Sequence, residues 1–154
     1  MGTEIINISK SNDKEEIYNK LTTYYKDNKL IAIPTETVYG LSADATSDEA
    51  VCKIYEAKGR PSDNPLIVHF YEMNQLNDIV DYQDERVGKL IENFWPGPMT
   101  LILNAKENNG ISKKVSAGLS TLAVRMPSNK TARQILKETK VLLAAPSANT
   151  SGKP

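Results

Sequence analysis

The sequence contains one cysteine, Cys52, and one histidine, His69, among 154 residues. A single cysteine excludes a disulfide framework and a cysteine-rich zinc site, and a single histidine excludes a histidine-cluster metal site. No apolar run approaches the about 18 residues of a membrane-spanning helix. The first residues also lack the basic and apolar segments of a secretory signal. We therefore expect a cytoplasmic protein with no membrane partner and no protein-held metal.

An excess of charge of either sign is also absent. Lysine and arginine total 19, aspartate and glutamate total 19, and the formal net charge is zero. Proteins that coat nucleic acids through non-specific phosphate contacts usually carry a basic excess, so this class is not favoured. A local basic pocket remains compatible with the composition. The length and the 40% hydrophobic content fit one globular domain over residues 1–154.

Apolar runs alternate with helical patterns along most of the chain. Strands are predicted at 5–8, 30–33, 65–69, 99–103, 121–124 and 141–144, and helices are predicted to begin at Asn12, Ser47, Asp84 and Ser128 or Asn129. Strands that alternate with helices are typical of α/β proteins. We therefore predict an α/β fold in which at least some strands are parallel.

Reactive side chains collect where four predicted strands end. They are Thr35, Glu36, Thr37 and Tyr39 after 30–33, His69 at the end of 65–69, Arg125 after 121–124, and Ser147 and Asn149 after 141–144. In open α/β sheets, ligands bind beyond the carboxyl ends of the strands. The pattern predicts a ligand site at one edge of the sheet. Antiparallel neighbours would instead scatter these groups to both edges.

Arginine is scarce, with four arginines against fifteen lysines. Two of the four, Arg60 and Arg125, lie in these polar segments, and Arg60 is separated from Lys58 only by Gly59. Arginine holds phosphate or carboxylate with two parallel hydrogen bonds, which favours an anionic ligand. Cations at the end of a helix are equally well explained by the helix dipole, with Gly59 as the C-cap.

The other motifs also have purely structural interpretations. The hydroxyls of 34–40 could satisfy a turn, and His69 could be a hydrogen-bonded core residue. Phe94 and Trp95 are most simply core residues before a rigid turn, and Cys52 is a small buried hydrophobe. No Walker-type loop or paired-glycine fingerprint is present, so a nucleotide would be bound in another way.

Five segments taken together resemble the YrdC-like domain of threonylcarbamoyl-AMP synthases. They are Pro34–Gly40, Lys58–Pro61 with Asn64–His69, Phe94–Pro98, Ala123–Pro127, and Ala145–Asn149 with Ser151 and Gly152. Their order and spacing match the family from about residue 12 to residue 154. The resemblance implies a twisted mixed sheet with flanking helices and a large, positively lined concave cleft. It also implies that the family's domain continues for several strands after Pro154.

The resemblance implies a role for individual residues. Threonine would be bound by Thr37, His69, Arg125 and Ala145, and ATP by Lys58, Arg60, Asn64, Thr121, Ser147 and Asn149. Lys58 and Arg60 would also be catalytic, because they would stabilise charge on the phosphate oxygens together with Mg²⁺ carried by the nucleotide.

The implied reaction converts L-threonine, bicarbonate or CO2 and ATP into threonylcarbamoyl-AMP and pyrophosphate. The product would pass to the transferase machinery that places threonylcarbamoyl on a tRNA adenosine, and direct RNA binding is compatible with this role. Two alternatives remain. One is a carbamoyl-adenylate-forming domain like that of hydrogenase maturation proteins, which normally carry zinc-finger and acylphosphatase-like modules. The other is a non-catalytic RNA-binding module, which the zero net charge disfavours.

Overall fold

The computed structural model describes residues 4–8, 12–35, 39–59 and 65–146. Helices and strands alternate through most of these ranges, as the apolar patterns predict. In chain order they are α1 (Lys14–Lys26), β1 (Ile31–Pro34), β2 (Tyr39–Asp44), α2 (Asp48–Lys58), β3 (Ile67–His69), α3 (Met73–Ile79), β4 (Val80–Asp81), α4 (Glu85–Phe94), β5 (Leu101–Ala105), β6 (Thr121–Arg125), α5 (Lys130–Thr139) and β7 (Leu143–Ala145).

The strands form one mixed sheet in the order β1-β2-β7-β3-β6-β5-β4. Strands β3 and β6 pair in parallel. The β1–β2, β2–β7, β3–β7, β4–β5 and β5–β6 pairs are antiparallel. The predicted α/β class with partly parallel strands is therefore confirmed. Among the described residues, no helix has both the length and the apolar character needed to cross a membrane.

Local capping chemistry sets most helix boundaries. Ser47 accepts a hydrogen bond from the Ala50 amide at 3.1 Å to begin α2, and Gly59 ends that helix at φ 63°. Asp84 and Asn129 begin α4 and α5, as predicted. The start of α1 was predicted one residue early. Its cap is Asp13 instead of Asn12, because the Asp13 carboxylate accepts from the third amide of the helix, that of Glu16, at 3.0 Å.

Three local predictions were wrong or incomplete. Residues 5–8 form no strand, since Ile6 and Ile8 instead pack as irregular chain against the core. Strand β2 was not predicted, because its sequence has few large apolar residues. One of its buried positions is the polar residue Ser42, whose hydroxyl is satisfied by hydrogen bonds to Tyr25 and Ile31. Helix α3 was missed because it is only seven residues long.

Two apolar layers cover the two faces of the sheet. On one face, a cluster that includes Val68, Val124 and Ala144 packs against α2. On the other, Leu143 packs with residues from α1 and α5. Helices α1 and α5 contact each other. In addition, α1 contacts β2 and α5 contacts β1. They therefore lie over the β1–β2–β7 part of this second face.

The segment around Trp95 only partly matches its predicted core role. Trp95 is buried, lies edge-to-face against Phe70 at 5.3 Å, and donates from Nε1 to the Met99 oxygen at 2.7 Å. Phe94, however, is 55% exposed, because α4 uses Val87 and Ile91 to contact the core. Cys52 is half-buried instead of buried. It lies on the flank of α2, whose core side is formed by other residues.

Candidate functional site

His69 and Arg125 lie side by side on neighbouring strands. His69 of β3 pairs in register with Arg125 of β6, and on its other side with Leu143 of β7. Two residues back along β3, Ile67 aligns with Ala123 and with Ala145. Because side chains at aligned positions share a face of a sheet, His69, Arg125 and Ala145 lie on the same face.

We call this surface the open face. It consists of Ile67 and His69 of β3, Thr121, Ala123 and Arg125 of β6, Ile102 of β5, and Ala145 of β7. In β6, Leu122 and Val124 are buried on the opposite face, while Thr121 and Arg125 are half-buried. Ile102, which aligns with Ala123, is 70% exposed. The part of the open face over β5 and β6 is therefore accessible to a ligand.

The expectation that the strand ends meet at one edge is confirmed for β3 and β6, which are parallel and end in register at His69 and Arg125, and is wrong for β1 and β7. Strand β7 runs opposite to β3, so Ala145 at its end lies beside Ile67 at the start of β3. Strand β1 runs in the same direction as β7, because two antiparallel pairings through β2 separate them. Strand register therefore gathers four predicted ligand residues on one face, although they do not all lie at one edge. They are His69, Thr121, Arg125 and Ala145.

Hydrogen bonds hold Arg125 in place. Its Nε and Nη2 donate to the Thr100 hydroxyl oxygen at 3.0 and 2.6 Å. Its main-chain oxygen accepts from the Phe70 amide at 3.3 Å, and the oxygen of the next residue, Met126, accepts from the Gly97 amide at 2.9 Å. Arg125 as a residue is half-buried. It is therefore oriented both by its backbone and by its side chain.

His69 combines a structural contact with a position on the open face. It is 7% exposed, and its Nδ1 lies 3.1 Å from the Ile67 main-chain oxygen. A carbonyl oxygen can only accept, so Nδ1 is the donor in this contact. The core-residue interpretation and the ligand interpretation of this histidine are thus compatible.

The end of β1 is tied to the chain that follows Arg125. The Asn129 side-chain amide donates to the Thr35 main-chain oxygen at 3.2 Å. Residues 35 and 129 are separated by 94 positions, yet this contact joins the polar segment after β1 to the segment between β6 and α5. Thr37, which is predicted to bind the substrate threonine, lies two positions after Thr35 and outside the described residues.

Lys58 lies outside the sheet. It is an exposed residue in the last turn of α2, and that helix packs on the opposite face through Val51, Ile54 and Tyr55. The left-handed C-cap at Gly59 matches the helix-end interpretation of this motif. The remaining predicted ligand residues lie outside the described residues: Thr37, Arg60, Asn64, Ser147 and Asn149.

Comparison with known proteins decides the family. The sequence profile of the Sua5, YciO and YrdC family, described as "Telomere recombination", matches residues 23–154. The chain belongs to this family. The resemblance noted from the five segments is thereby confirmed.

Curated relatives share substantial identity with the chain. The threonylcarbamoyl-AMP synthase of Bacillus subtilis is 52% identical over 129 residues, which are 84% of this chain and 37% of the relative. That of Pyrococcus abyssi is 46% identical over 131 residues, covering 85% and 38%. That of Neisseria gonorrhoeae is 33% identical over 135 residues, covering 87% and 70%. The chain therefore spans less than two fifths of the first two relatives.

Solved structures support the same fold. P. abyssi Sua5 complexed with L-threonine has a TM-score of 0.82 at 42% identity, covering 94% of this chain and 42% of that one. Full-length HypF in its phosphate- and nucleotide-bound form has a TM-score of 0.72 at 21% identity, covering 89% and 21%. At that identity, HypF shares the fold and supports no inference about function.

Two side chains of the site were not predicted from the family motifs. Thr100 holds the Arg125 side chain, and Asn129 was considered only as a helix cap although it also holds Thr35. Thr100 directly precedes β5, whose first residue, Leu101, aligns with Val124. Knowledge of that register would have placed Thr100 beside Arg125, but register is not visible in one sequence. Within the described ranges, no group of three or more His, Cys, Asp or Glu residues could hold a metal ion.

Proposed function

We propose that this chain acts as an L-threonylcarbamoyladenylate synthase, which forms threonylcarbamoyl-AMP and pyrophosphate from L-threonine, bicarbonate or CO2 and ATP. The observation that carries the proposal is the alignment of His69 with Arg125 on the open face. The support from relatives is the 52% identity to a threonylcarbamoyl-AMP synthase and the fold shared with a Sua5 that binds L-threonine.

Arg125 is the proposed partner of the threonine carboxylate. A guanidinium group can hold a carboxylate with two parallel hydrogen bonds. Arg125 is a half-buried residue, and a hydrogen bond away from bulk water is stronger than one in water. His69 lies next to it in register and offers a second polar group to the amino acid. Ala145 is a small residue on the same face, and Thr37 completes the proposed set.

The proposed chemistry needs no covalent nucleophile from the protein. The neutral threonine amine adds to CO2 and releases a proton, which is consumed when bicarbonate is dehydrated to CO2. A carbamate oxygen then attacks the α-phosphorus of ATP, and the bond to the β-phosphate oxygen breaks as pyrophosphate leaves. We assign the nucleotide to Lys58, Arg60, Asn64, Thr121, Ser147 and Asn149. Lys58 and Arg60 stabilise the charge that develops on the phosphates.

The proposal also covers Mg²⁺, partners and compartment. We propose that Mg²⁺ arrives on the ATP phosphates as part of the substrate. Threonylcarbamoyl-AMP then passes to the machinery that modifies tRNA in the cytoplasm, and direct contact with tRNA is compatible with this hand-over. A chain with zero net charge is not expected to hold tRNA by bulk electrostatics.

The decisive experiment is an assay of pyrophosphate release from ATP with and without L-threonine and bicarbonate. We expect release only when both are present, together with threonylcarbamoyl-AMP detected by mass spectrometry. Arg125→Lys should weaken the response to threonine, because an ammonium group cannot reproduce the bidentate contact. Lys137→Ala, an exposed change on α5, is the matched control and should leave activity unchanged.

Two results would replace the proposal. Adenylate formation from carbamoyl phosphate without threonine would indicate the carbamoyl-adenylate reaction instead. Tight binding of tRNA, with no pyrophosphate released under any combination of substrates, would indicate a non-catalytic RNA-binding module.

A further inference from the structure

Thr100 contacts Arg125 through two hydrogen bonds. Its single hydroxyl oxygen accepts two hydrogen bonds from the same guanidinium group, 3.0 Å from Nε and 2.6 Å from Nη2. These two donors form one edge of the planar guanidinium fork.

The segment that carries Thr100 is itself firmly attached beside Arg125. Trp95 is buried, and its Nε1 donates to the Met99 oxygen at 2.7 Å. The Gly97 amide donates to the oxygen of Met126 at 2.9 Å. The turn between α4 and β5 is therefore fastened to the residue after Arg125, and Thr100 extends this attachment to the Arg125 side chain.

We propose that Thr100 is a positioning residue for substrate binding. Because its hydroxyl accepts from both Nε and Nη2, it fixes the orientation of the Arg125 guanidinium group, which is the proposed partner of the substrate carboxylate. This inference rests on the proposed function, since it takes Arg125 as the partner of the carboxylate in that reaction. It adds a residue to the site that contacts the substrate only through Arg125.

A purely structural role for Thr100 makes a different prediction. If the hydroxyl only satisfies the hydrogen-bonding needs of the half-buried Arg125, its loss should lower stability and leave substrate affinity unchanged. If it positions Arg125, its loss should weaken threonine binding while ATP binding is retained. The two roles are thus separated by affinity and not by stability alone.

The test compares Thr100→Val, which keeps the shape and removes the hydroxyl, with Thr100→Ser, which keeps the hydroxyl. Calorimetric titration with L-threonine in the presence of a non-hydrolysable ATP analogue gives the affinity. We expect Thr100→Val to weaken threonine binding about tenfold, as expected for loss of a hydrogen bond to a charged group. Thr100→Ser should stay within about twofold of the wild type, and affinity for the ATP analogue should be unchanged in both.

The outcomes separate this inference from the proposed function. If the wild type binds threonine and Thr100→Val binds it equally well, the positioning role is wrong and the proposed function stands. If the wild type binds no threonine, both are wrong. If Thr100→Val does not fold, Thr100→Ala takes its place in the same comparison with Thr100→Ser. The ¹H–¹⁵Nε NMR signal of Arg125 should shift in Thr100→Val and keep its position in Thr100→Ser.

Discussion

The side-chain amide of Asn129 donates a hydrogen bond to the main-chain oxygen of Thr35 at 3.2 Å. The same side chain begins α5, since its Oδ1 accepts from the Ala132 amide at 3.0 Å. One residue therefore starts a helix and holds the end of β1. Thr37, a proposed threonine ligand, follows two positions later in the chain.

This double contact predicts that Asn129→Ser and Asn129→Ala have equal effects on binding and unequal effects on stability. Serine can still cap α5 but is too short to reach Thr35, whereas alanine loses both contacts. We expect both variants to weaken L-threonine binding. We expect Asn129→Ala to unfold with about 1 kcal/mol less free energy than Asn129→Ser, because it alone loses the cap.

Urea unfolding measures the stability difference, and calorimetric titration with threonine measures the affinities. Threonine affinity equal to the wild type in both variants would show that the contact with Thr35 does not support the site. A drop confined to Asn129→Ala would attribute the effect to the helix cap.

The helices were largely predictable from sequence because their signals are local. Ser47, Asp84 and Asn129 each cap a helix through amides two or three residues away, and Gly59 ends α2 in a conformation that glycine tolerates. The exposed side of α4 was not predictable. Periodicity identifies its apolar stripe but does not show that Phe94 lies beyond the region that the core covers.

The site was predictable as a set of residues but not as an arrangement. His69 and Arg125 were singled out from their positions at strand ends, yet their alignment depends on the parallel pairing of β3 with β6. The reversed direction of β7 likewise depends on contacts between distant parts of the chain. Such pairings are set by tertiary packing, so a single sequence gives no direct signal for them.

Substrate specificity follows from the proposed function. We expect L-threonine to support pyrophosphate release with a kcat/KM about tenfold or more above that of L-serine, because a pocket that fits one extra methyl group gains about 1–3 kcal/mol. The measurement is the initial rate over a range of amino-acid concentrations at fixed ATP and bicarbonate. Equal kcat/KM values for the two amino acids would show that the site does not recognise the γ-methyl group.

Position 97 requires glycine because the main chain of Phe94 lies too close for a side chain. A Cβ atom at this position would lie 2.4 Å from the Phe94 main-chain oxygen, and the Gly97 amide is bonded to Met126 next to Arg125. We expect Gly97→Ala to lower the free energy of unfolding by about 1–3 kcal/mol, because the backbone must shift. Threonine affinity should fall as well, since the shift reaches the attachment of Arg125.

Gly88 provides the matched control for this change. It lies within α4, and a Cβ atom there would meet nothing within 4 Å. Gly88→Ala should therefore raise the free energy of unfolding by about 0.5–1 kcal/mol, because alanine loses less backbone entropy in a helix. Chemical denaturation of both variants checks the pair. A Gly97→Ala protein as stable as the wild type would contradict the proposed constraint.

The buried phenol of Tyr25 makes the free energy of unfolding depend on pH in the alkaline range. Its hydroxyl lies 2.8 Å from the Ser42 hydroxyl, and Ser42 in turn donates to the Ile31 main-chain oxygen at 2.7 Å. Tyr25 is fully buried between α1 and the sheet. Burial raises the pKa of its phenol above the ordinary value near 10, because the charged form loses its hydration.

The direction of the pH effect follows from this raised pKa. Below about pH 10 the phenol keeps its proton in both states, and its contribution to stability is fully present. Above that pH the unfolded chain releases the proton while the folded chain retains it, so the free energy of unfolding decreases. The loss attributable to Tyr25 is at most about 1.4 kcal/mol per pH unit.

We expect the free energy of unfolding of Tyr25→Phe to decline less steeply than that of the wild type between pH 10 and 11, as measured by urea unfolding. Tyr39→Phe, at a side chain that is 73% exposed, should follow the wild-type slope. If Tyr25→Phe also follows that slope, the buried phenol is not the group that links stability to pH.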